Sequence, residues 1–324
     1  MLRRALLATL LATPAAAREV RDATGRTVTL GDRLRRVVPA GPPAAILLHS
    51  LAPELMTGWP SAPPPASAAA FLPEEVLRLP GLPRLTGRDS AAGIDALLRD
   101  RPDLVLDYGS VAAPYVALAE DVQQRTGVPT LLLDGALARI PDTYRELGAL
   151  LGRGPAAGRL AQAAEGILAA ARPPASATRP RVLYLRGAVA LDAPVAASSE
   201  TLDLAGAEAI AGSATGTEQI RAWNPDWILA TDPGFAAAAQ GHPAWSALTA
   251  FREGRVRTVP ASPFGWLDTP PSVNRLLGLI WLPVLFGRQP AGELAGRVGD
   301  FHTLFYHRRP EPAAIEALLR ASAP

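Results

Sequence analysis

Apolar and polar positions along the chain alternate between short buried-strand patterns and amphipathic helices. Arg18–Val38 alternates polar and apolar residues around Thr24-Gly25-Arg26, which predicts a hairpin-like opening. Ala44–Leu48 is a continuous apolar run and reads as a buried strand ending at His49-Ser50, and Pro60–Ala70 reads as a Pro/Ala/Ser loop. Leu104–Asp107 and Thr130–Leu133 are further short strand patterns, ending in Tyr108-Gly109-Ser110 and Asp134-Gly135. Pro141–Leu151 predicts a helix stopped by Gly152-Arg153-Gly154-Pro155, followed by an alanine-rich helix over Ala156–Ala171. After Pro173-Pro174-Ala175-Ser176 the pattern restarts. Strands are predicted at Arg181–Leu185, Trp227–Thr231 and Arg255–Val259, with helices near Thr201–Ala205, Ser272–Phe286 and 311–321. Strands and helices alternating at this spacing predict parallel sheets.

One segment occurs twice. Ile94–Leu106 and Thr217–Leu229 each place a carboxylate, Asp95 or Glu218, seven positions before a Pro-Asp pair that opens an apolar run. Physically this is a short amphipathic helix, stopped by proline, that feeds a buried strand. Two copies predict two α/β lobes of related construction. The expected organisation is a leader over 1–17, an N-terminal lobe over 18–155, a connecting helix and linker over 156–174, and a C-terminal lobe over 175–324. Ligands of two-lobed proteins favour the cleft between lobes.

Open α/β sheets bind ligands beyond the carboxyl ends of their strands. That rule turns the strand pattern into candidate sites: His49-Ser50, Tyr108-Gly109-Ser110 and Asp134-Gly135 in the first lobe. In the second it gives Arg186-Gly187, Thr231-Asp232 and Ser262-Pro263-Phe264-Gly265-Trp266. His49 is expected to line the cleft, Tyr108 to stack or hydrogen-bond there, and Ser110 to add a hydroxyl. Arg186, just past a strand and before a glycine, is placed to face an anion or to bridge the lobes. Phe264 and Trp266 read as an aromatic wall or as core beneath the last helix. Arg275 and Asp268 flank the start of that helix, as ligand contacts or as an ion pair. Pro270-Pro271-Ser272 suits a helix N-terminus, where backbone N–H groups can hold an anion.

Composition narrows the classes. The 324 residues are 48% hydrophobic, enough for two ordinary α/β cores. All 32 basic residues are arginine, which with abundant Ala, Pro and Gly reads as codon bias and makes arginine a weak binding signal. The net charge is +2, and loss of Arg3 and Arg4 with a leader leaves 30 basic against 30 acidic residues, which argues against nucleic acid or an anionic membrane as partner. Met1–Ala17 has a positive start, a short apolar stretch and a small-residue end, the pattern of a signal peptide cleaved after Ala17. With no cysteine there is no lipobox, disulfide or thiolate chemistry, so the expectation is a free periplasmic protein without a lipid anchor.

Enzyme signatures are absent from the sequence: no G-x-S-x-G elbow, phosphate loop, dinucleotide fingerprint or metal motif occurs. His242, His302 and His307 read as surface or structural histidines, and the spacing of the last two does not put both on one helical face. No intrinsic cofactor or metal site is expected.

Arg21-Asp22-Ala23-Thr24-Gly25-Arg26-Thr27-Val28 followed by Arg36-Val37-Val38, the doubled Pro-Asp segments, and Pro263–Arg275 together resemble periplasmic substrate-binding proteins of iron-siderophore and vitamin B12 ABC importers. The resemblance covers essentially the whole chain after the leader. It implies two Rossmann-like lobes with mainly parallel sheets, one long connecting helix and modest lobe closure. It implies docking of each lobe onto the ABC permease through Asp95 and Glu218, although Asp95 is one methylene shorter than the family's glutamate. Heme-binding relatives carry a tyrosine after the glycine matching Thr86-Gly87, where this chain has Arg88. The ligand it implies is a metal chelate, first a ferric siderophore, with vitamin B12, heme or molybdate/tungstate as alternatives. A ligand sensor, or less readily a secreted hydrolase, are the readings from other classes. A monomer suffices for delivery.

Overall fold

The computed structural model describes residues 17–85 and 90–322. Residues 1–16 of the expected leader and the Thr86-Gly87-Arg88 segment lie outside the described residues. Two α/β lobes carry mainly parallel sheets, as the alternation of patterns predicts. In the N-terminal lobe, strands Val37–Pro39, Leu104–Gly109 and Thr130–Asp134 pair in that order, all parallel. Met56 adds a parallel bridge beside Val37. In the C-terminal lobe, Arg181–Leu185, Trp227–Ala230 and Val256–Thr258 follow the same order, and Glu208–Ile210 takes the place that Met56 has in the first lobe.

The doubled segment has one backbone solution. Helices Ser90–Asp100 and Thr217–Trp223 run on into Arg101 and Asn224, both left-handed at φ 42° and φ 33°. A proline follows, and then an aspartate whose carboxylate receives backbone N–H groups of the neighbouring strand's lead-in. Asp103 accepts from Arg35 N and Arg36 N at 2.6 and 2.8 Å, while Asp226 accepts from Arg181 N at 2.7 Å. Each aspartate's own N–H returns a bond to the facing carbonyl, Arg36 O or Arg181 O. The Pro-Asp pair thus fixes strand register at the ends remote from the cleft.

The chain opens with the predicted hairpin, Ala17–Arg21 against Thr27–Gly31. Asp22 closes its turn by accepting from Thr24 N, Thr24 Oγ1 and Arg26 N. Burial raises the Asp22 pKa, but these bonds and the Arg26 guanidinium outweigh it and hold the carboxyl below its ordinary value. Helix Ile140–Leu151 ends at Gly152 in the left-handed region, φ 68°, and Gly154–Ala171 follows as the long helix between the lobes. It packs on Ile140–Leu151 and on Arg275–Leu285.

One predicted strand is corrected. Ala44–Leu48 lies inside helix Pro42–Leu51, every residue of it buried. A fully buried aliphatic run carries no periodicity, and the Pro42-Pro43 pair that starts the helix is the local signal that favours it. Helices Ala113–Thr126 and Leu294–Phe305 were not among the predicted elements. Leu294–Phe305 carries the C-terminal region across to helix Pro42–Leu51 of the first lobe.

Candidate functional site

The carboxyl ends of the strands converge where the lobes meet. Gly109 ends one strand of the first lobe and Gly135 follows the end of its neighbour, and Gly135 N donates to Gly109 O at 2.7 Å. A Cβ on Gly135 would stand 2.6 Å from the Gly109 Cα, so glycine alone permits this approach. Beside it lies a cavity of about 330 Å³, lined by Ala40, Gly41, Pro43, Asp107, Tyr108, Gly109, Ser110, Tyr115, Leu118 and Pro271. Pro271 comes from the second lobe, so the cavity opens on the cleft.

Alternation along Leu104–Gly109 decides which side chains face this cavity. Leu104, Leu106 and Tyr108 point into the main core, whereas Val105 joins the cluster under helix Ser90–Asp100. Asp107 shares that second face and stands at its cleft end. Its own carboxylate accepts from Tyr108 N at 2.8 Å, and burial raises its pKa against that bond. Ser110 lines the cavity and is exposed, its Oγ accepting from Ala112 N at 3.3 Å. Tyr108 borders the cavity, but its ring is 1% exposed, and burial pushes the phenol up to about 12 despite the opposing Arg275 charge nearby. It is a core ring beneath the site, not an open platform.

A second constellation joins the lobes. The Arg275 guanidinium, almost fully buried, donates to Glu200 Oε2 at 2.7 Å, Gly135 O at 2.5 Å and Ser272 O at 3.1 Å. Glu200 in turn accepts from Leu137 N at 2.9 Å. An ion pair of the second lobe therefore grips the 135–137 loop of the first from both sides. Asp268 accepts from Ser199 Oγ at 2.5 Å and Thr201 Oγ1 at 3.1 Å, and stands 4.0 Å from Arg275. Ser272 Oγ adds a bond of 2.7 Å to Pro43 O.

Several expected site residues do not line this cavity. Arg275 is a buried strut: each of its guanidinium nitrogens bonds to protein, and it is not a lining residue of the cavity. His49 follows no strand. It sits in the last turn of helix Pro42–Leu51, wholly buried among Trp59, Tyr306 and His307, and burial, then the His307 charge, lower its pKa to about 3. Trp266 is core, edge-on to Trp281. Phe264 is half-buried between Trp59 and Tyr306. Arg186 is exposed past the end of Arg181–Leu185, on the second lobe, and is not a lining residue of the cavity.

Asp95 and Glu218 are both exposed, on helices Ser90–Asp100 and Thr217–Trp223. His302 is buried, with its pKa lowered to about 4 by burial, while His242 caps helix Pro243–Ser246 and meets Asp192 at 3.0 Å. Asp107 and Tyr115 were missed by sequence reasoning. The strand pattern had a usable signal for Asp107, since it is the one polar break in Leu104–Tyr108. Tyr115 had none, because its helix was not predicted.

The sequence model of the Periplasmic binding protein family matches residues 77–263. The chain belongs to that family. Among solved structures, an ABC transporter solute-binding protein from Sulfurospirillum deleyianum is similar at 22% identity and TM-score 0.79, covering 94% of this chain and 99% of that one. A molybdate periplasmic binding protein from Haemophilus influenzae, solved with molybdate, is similar at 19% identity and TM-score 0.65, over 91% of this chain and 99% of that one. A periplasmic heme-binding protein from Roseiflexus is similar at 23% identity and TM-score 0.57, over 78% and 98%. At these identities the likeness is one of fold. No curated protein sequence matches the chain. No helix among the described residues is long and apolar enough to cross a membrane.

Proposed function

We propose that this periplasmic binding protein serves an ABC importer, captures a metal chelate (a ferric siderophore first) in the interlobe cleft and delivers it to the permease. The observation that carries this reading is the cavity at the strand ends. Its volume, about 330 Å³, is some ten times the ~30 Å³ share of one water molecule. A small oxyanion is better held in a tight nest of backbone N–H groups. The lining is mainly apolar with a few polar groups, which suits an organic ligand. It needs no protein–metal bond, and no cluster of metal-ligating side chains occurs among the described residues.

Asp95 and Glu218 are the proposed permease contacts, one on each lobe, and their exposure supports the assignment. The leader over 1–17, the free periplasmic state and the monomer belong to the same proposal, as does the absence of catalysis. Arg186 stays in it as a charge on the opposite wall of the cleft.

Native mass spectrometry of the mature protein from cells grown under iron limitation tests the ligand. An iron-bearing adduct of several hundred daltons is expected. A cobalamin, heme or oxyanion mass would keep binding and replace the ligand. Glu218→Arg tests the docking: affinity should stay unchanged while uptake is lost, and an unchanged uptake rate sinks the assignment.

A further inference from the structure

The net charge of +2 over the whole chain conceals a local excess of positive charge. At the end of the first lobe remote from the cleft, helix Ile140–Leu151 hands over to helix Gly154–Ala171. A cavity of about 310 Å³ lies at this corner, and Arg18, Asp32, Arg33, Arg35 and Arg153 line it. Leu34 and Leu150 pack on the main core and fix the backbone on its two sides. Arg33 and Arg35 are exposed, and neither guanidinium forms an ion pair or hydrogen bond among the described residues. Arg35 is held through its backbone N–H, which bonds to Asp103. Arg18 bonds through Nη2 to Leu150 O, while its enclosed Nε has no partner among the described residues. Arg153 is neutralised by Glu54 at 2.7 Å. Asp32 shares the lining without pairing with any of these arginines. Three uncompensated guanidinium groups therefore face one carboxylate.

Arginine is abundant in this chain, so a cluster of it means little until its partners are counted. Toward the other end of the same helix the partners are present: Arg139 meets Asp142 and Glu146, both at 3.0 Å, and Arg145 meets Glu165 at 2.6 Å. At the Gly152 end the cations converge on open space instead. We propose that this corner is a second binding site, separate from the cleft, and that it takes a phosphate group of the monoester or diphosphate type. Guanidinium groups hold phosphate oxygens through paired, charge-assisted N–H bonds, and converging cations raise the local concentration of multivalent anions. The volume is some ten times the ~30 Å³ share of one water molecule, which leaves room for the group that carries the phosphate. A soluble phosphorylated compound and a lipid headgroup present the same oxygens to it. The proposal does not depend on which ligand the cleft takes.

Two measurements on the mature protein test it: isothermal titration with pyrophosphate, and flotation with phosphatidylcholine vesicles that contain or lack phosphatidic acid. Pyrophosphate should bind. Arg33→Gln combined with Arg35→Gln should weaken it at least about tenfold and unfold at the parent temperature, because both side chains are exposed. Asp32→Asn, which removes the opposing carboxylate, should tighten it. Arg78→Gln combined with Arg320→Gln removes the same charge from exposed helices elsewhere and should leave the affinity unchanged. Flotation that requires phosphatidic acid and is lost with Arg33 and Arg35 assigns the phosphate to a lipid headgroup. Pyrophosphate binding without flotation assigns it to a soluble compound. Binding of neither probe, binding that survives the loss of Arg33 and Arg35, or an equal loss in the Arg78 and Arg320 variant overturns the site and leaves the cleft reading untouched.

Discussion

The two lobes share a scaffold and differ in what they do with it. At the ends of the sheets remote from the cleft they are near copies: helix, left-handed residue, proline, aspartate, strand, with Asp103 and Asp226 taking neighbouring backbone N–H groups. At the cleft ends they diverge. The first lobe offers Asp107, Ser110 and Tyr115 around a cavity, whereas the second offers Arg186 on an exposed loop and the Glu200–Arg275 pair that reaches across. Repetition in the sequence therefore marks folding hardware, and the chemistry lies where the repeat stops. The halves also differ in buried titratable groups. His49 and His302, both held neutral by burial, sit in the aromatic cluster around Tyr306 under the first lobe, while His242 of the second lobe meets Asp192 at the surface.

That last difference gives the largest expected effect. Folded values of about 3 for His49 and about 4 for His302 lie below the ordinary 6.5, so the unfolded chain binds more protons between these limits. The stability these groups contribute is complete above pH 6.5 and is lost as pH falls toward 4. Each histidine costs about 1.4 kcal/mol per pH unit in that window, or about 5 kcal/mol for both near pH 4.5. Urea unfolding at pH 7, 5.5 and 4.5 measures the slope, and His302→Phe should remove about half of it. A slope that His302→Phe leaves unchanged excludes His302 as a source of acid lability.

Next in size is the strut between the lobes. Glu200→Gln keeps an acceptor for Leu137 N but leaves the buried Arg275 charge with only the more distant Asp268 opposite it. Breaking a buried pair costs about 3–5 kcal/mol, and the half-exposed Glu200 points to the lower end, about 3 kcal/mol. Thermal and urea unfolding read it directly. A change below about 1 kcal/mol would mean that water already screens the pair, as it does for surface ion pairs.

The doubled Pro-Asp spacing was legible because proline and a strand-clamping aspartate are local devices, and the lobe plan follows from counting strands after it. The carboxyl-end rule found the loops, since Ser110 lies on the cavity and Gly135 approaches Gly109 beside it. It did not find the side chains. Whether Tyr108 or Asp107 faces the cleft depends on strand phase, and a buried strand with apolar residues on both faces hides that phase. Arg275 looked like a ligand contact because a cationic side chain at the cleft reads the same whether its partner is ligand or protein. Only the fold brings Glu200 and Gly135 to it. His49 failed one step earlier, when an aliphatic run without periodicity was read as strand although Pro42-Pro43 opened a helix.

The smallest effect sharpens the comparison most. Asp103→Ala unpairs two backbone N–H groups, those of Arg35 and Arg36, whereas Asp226→Ala unpairs only Arg181 N. A charged acceptor contributes about 1.5–3 kcal/mol when it is shielded and less where water can replace it, as at both these exposed corners. The expected losses are about 2 kcal/mol for Asp103→Ala and about 1 kcal/mol for Asp226→Ala, additive in the double variant because the corners belong to separate lobes. Ligand affinity should be unchanged in all three, since the clamps stand at the ends of the sheets away from the cavity. Equal losses would mean that one N–H per corner carries the clamp and that the second bond at Asp103 is incidental. A loss of affinity in either variant would instead tie strand register at one end of a lobe to the shape of the cleft at the other.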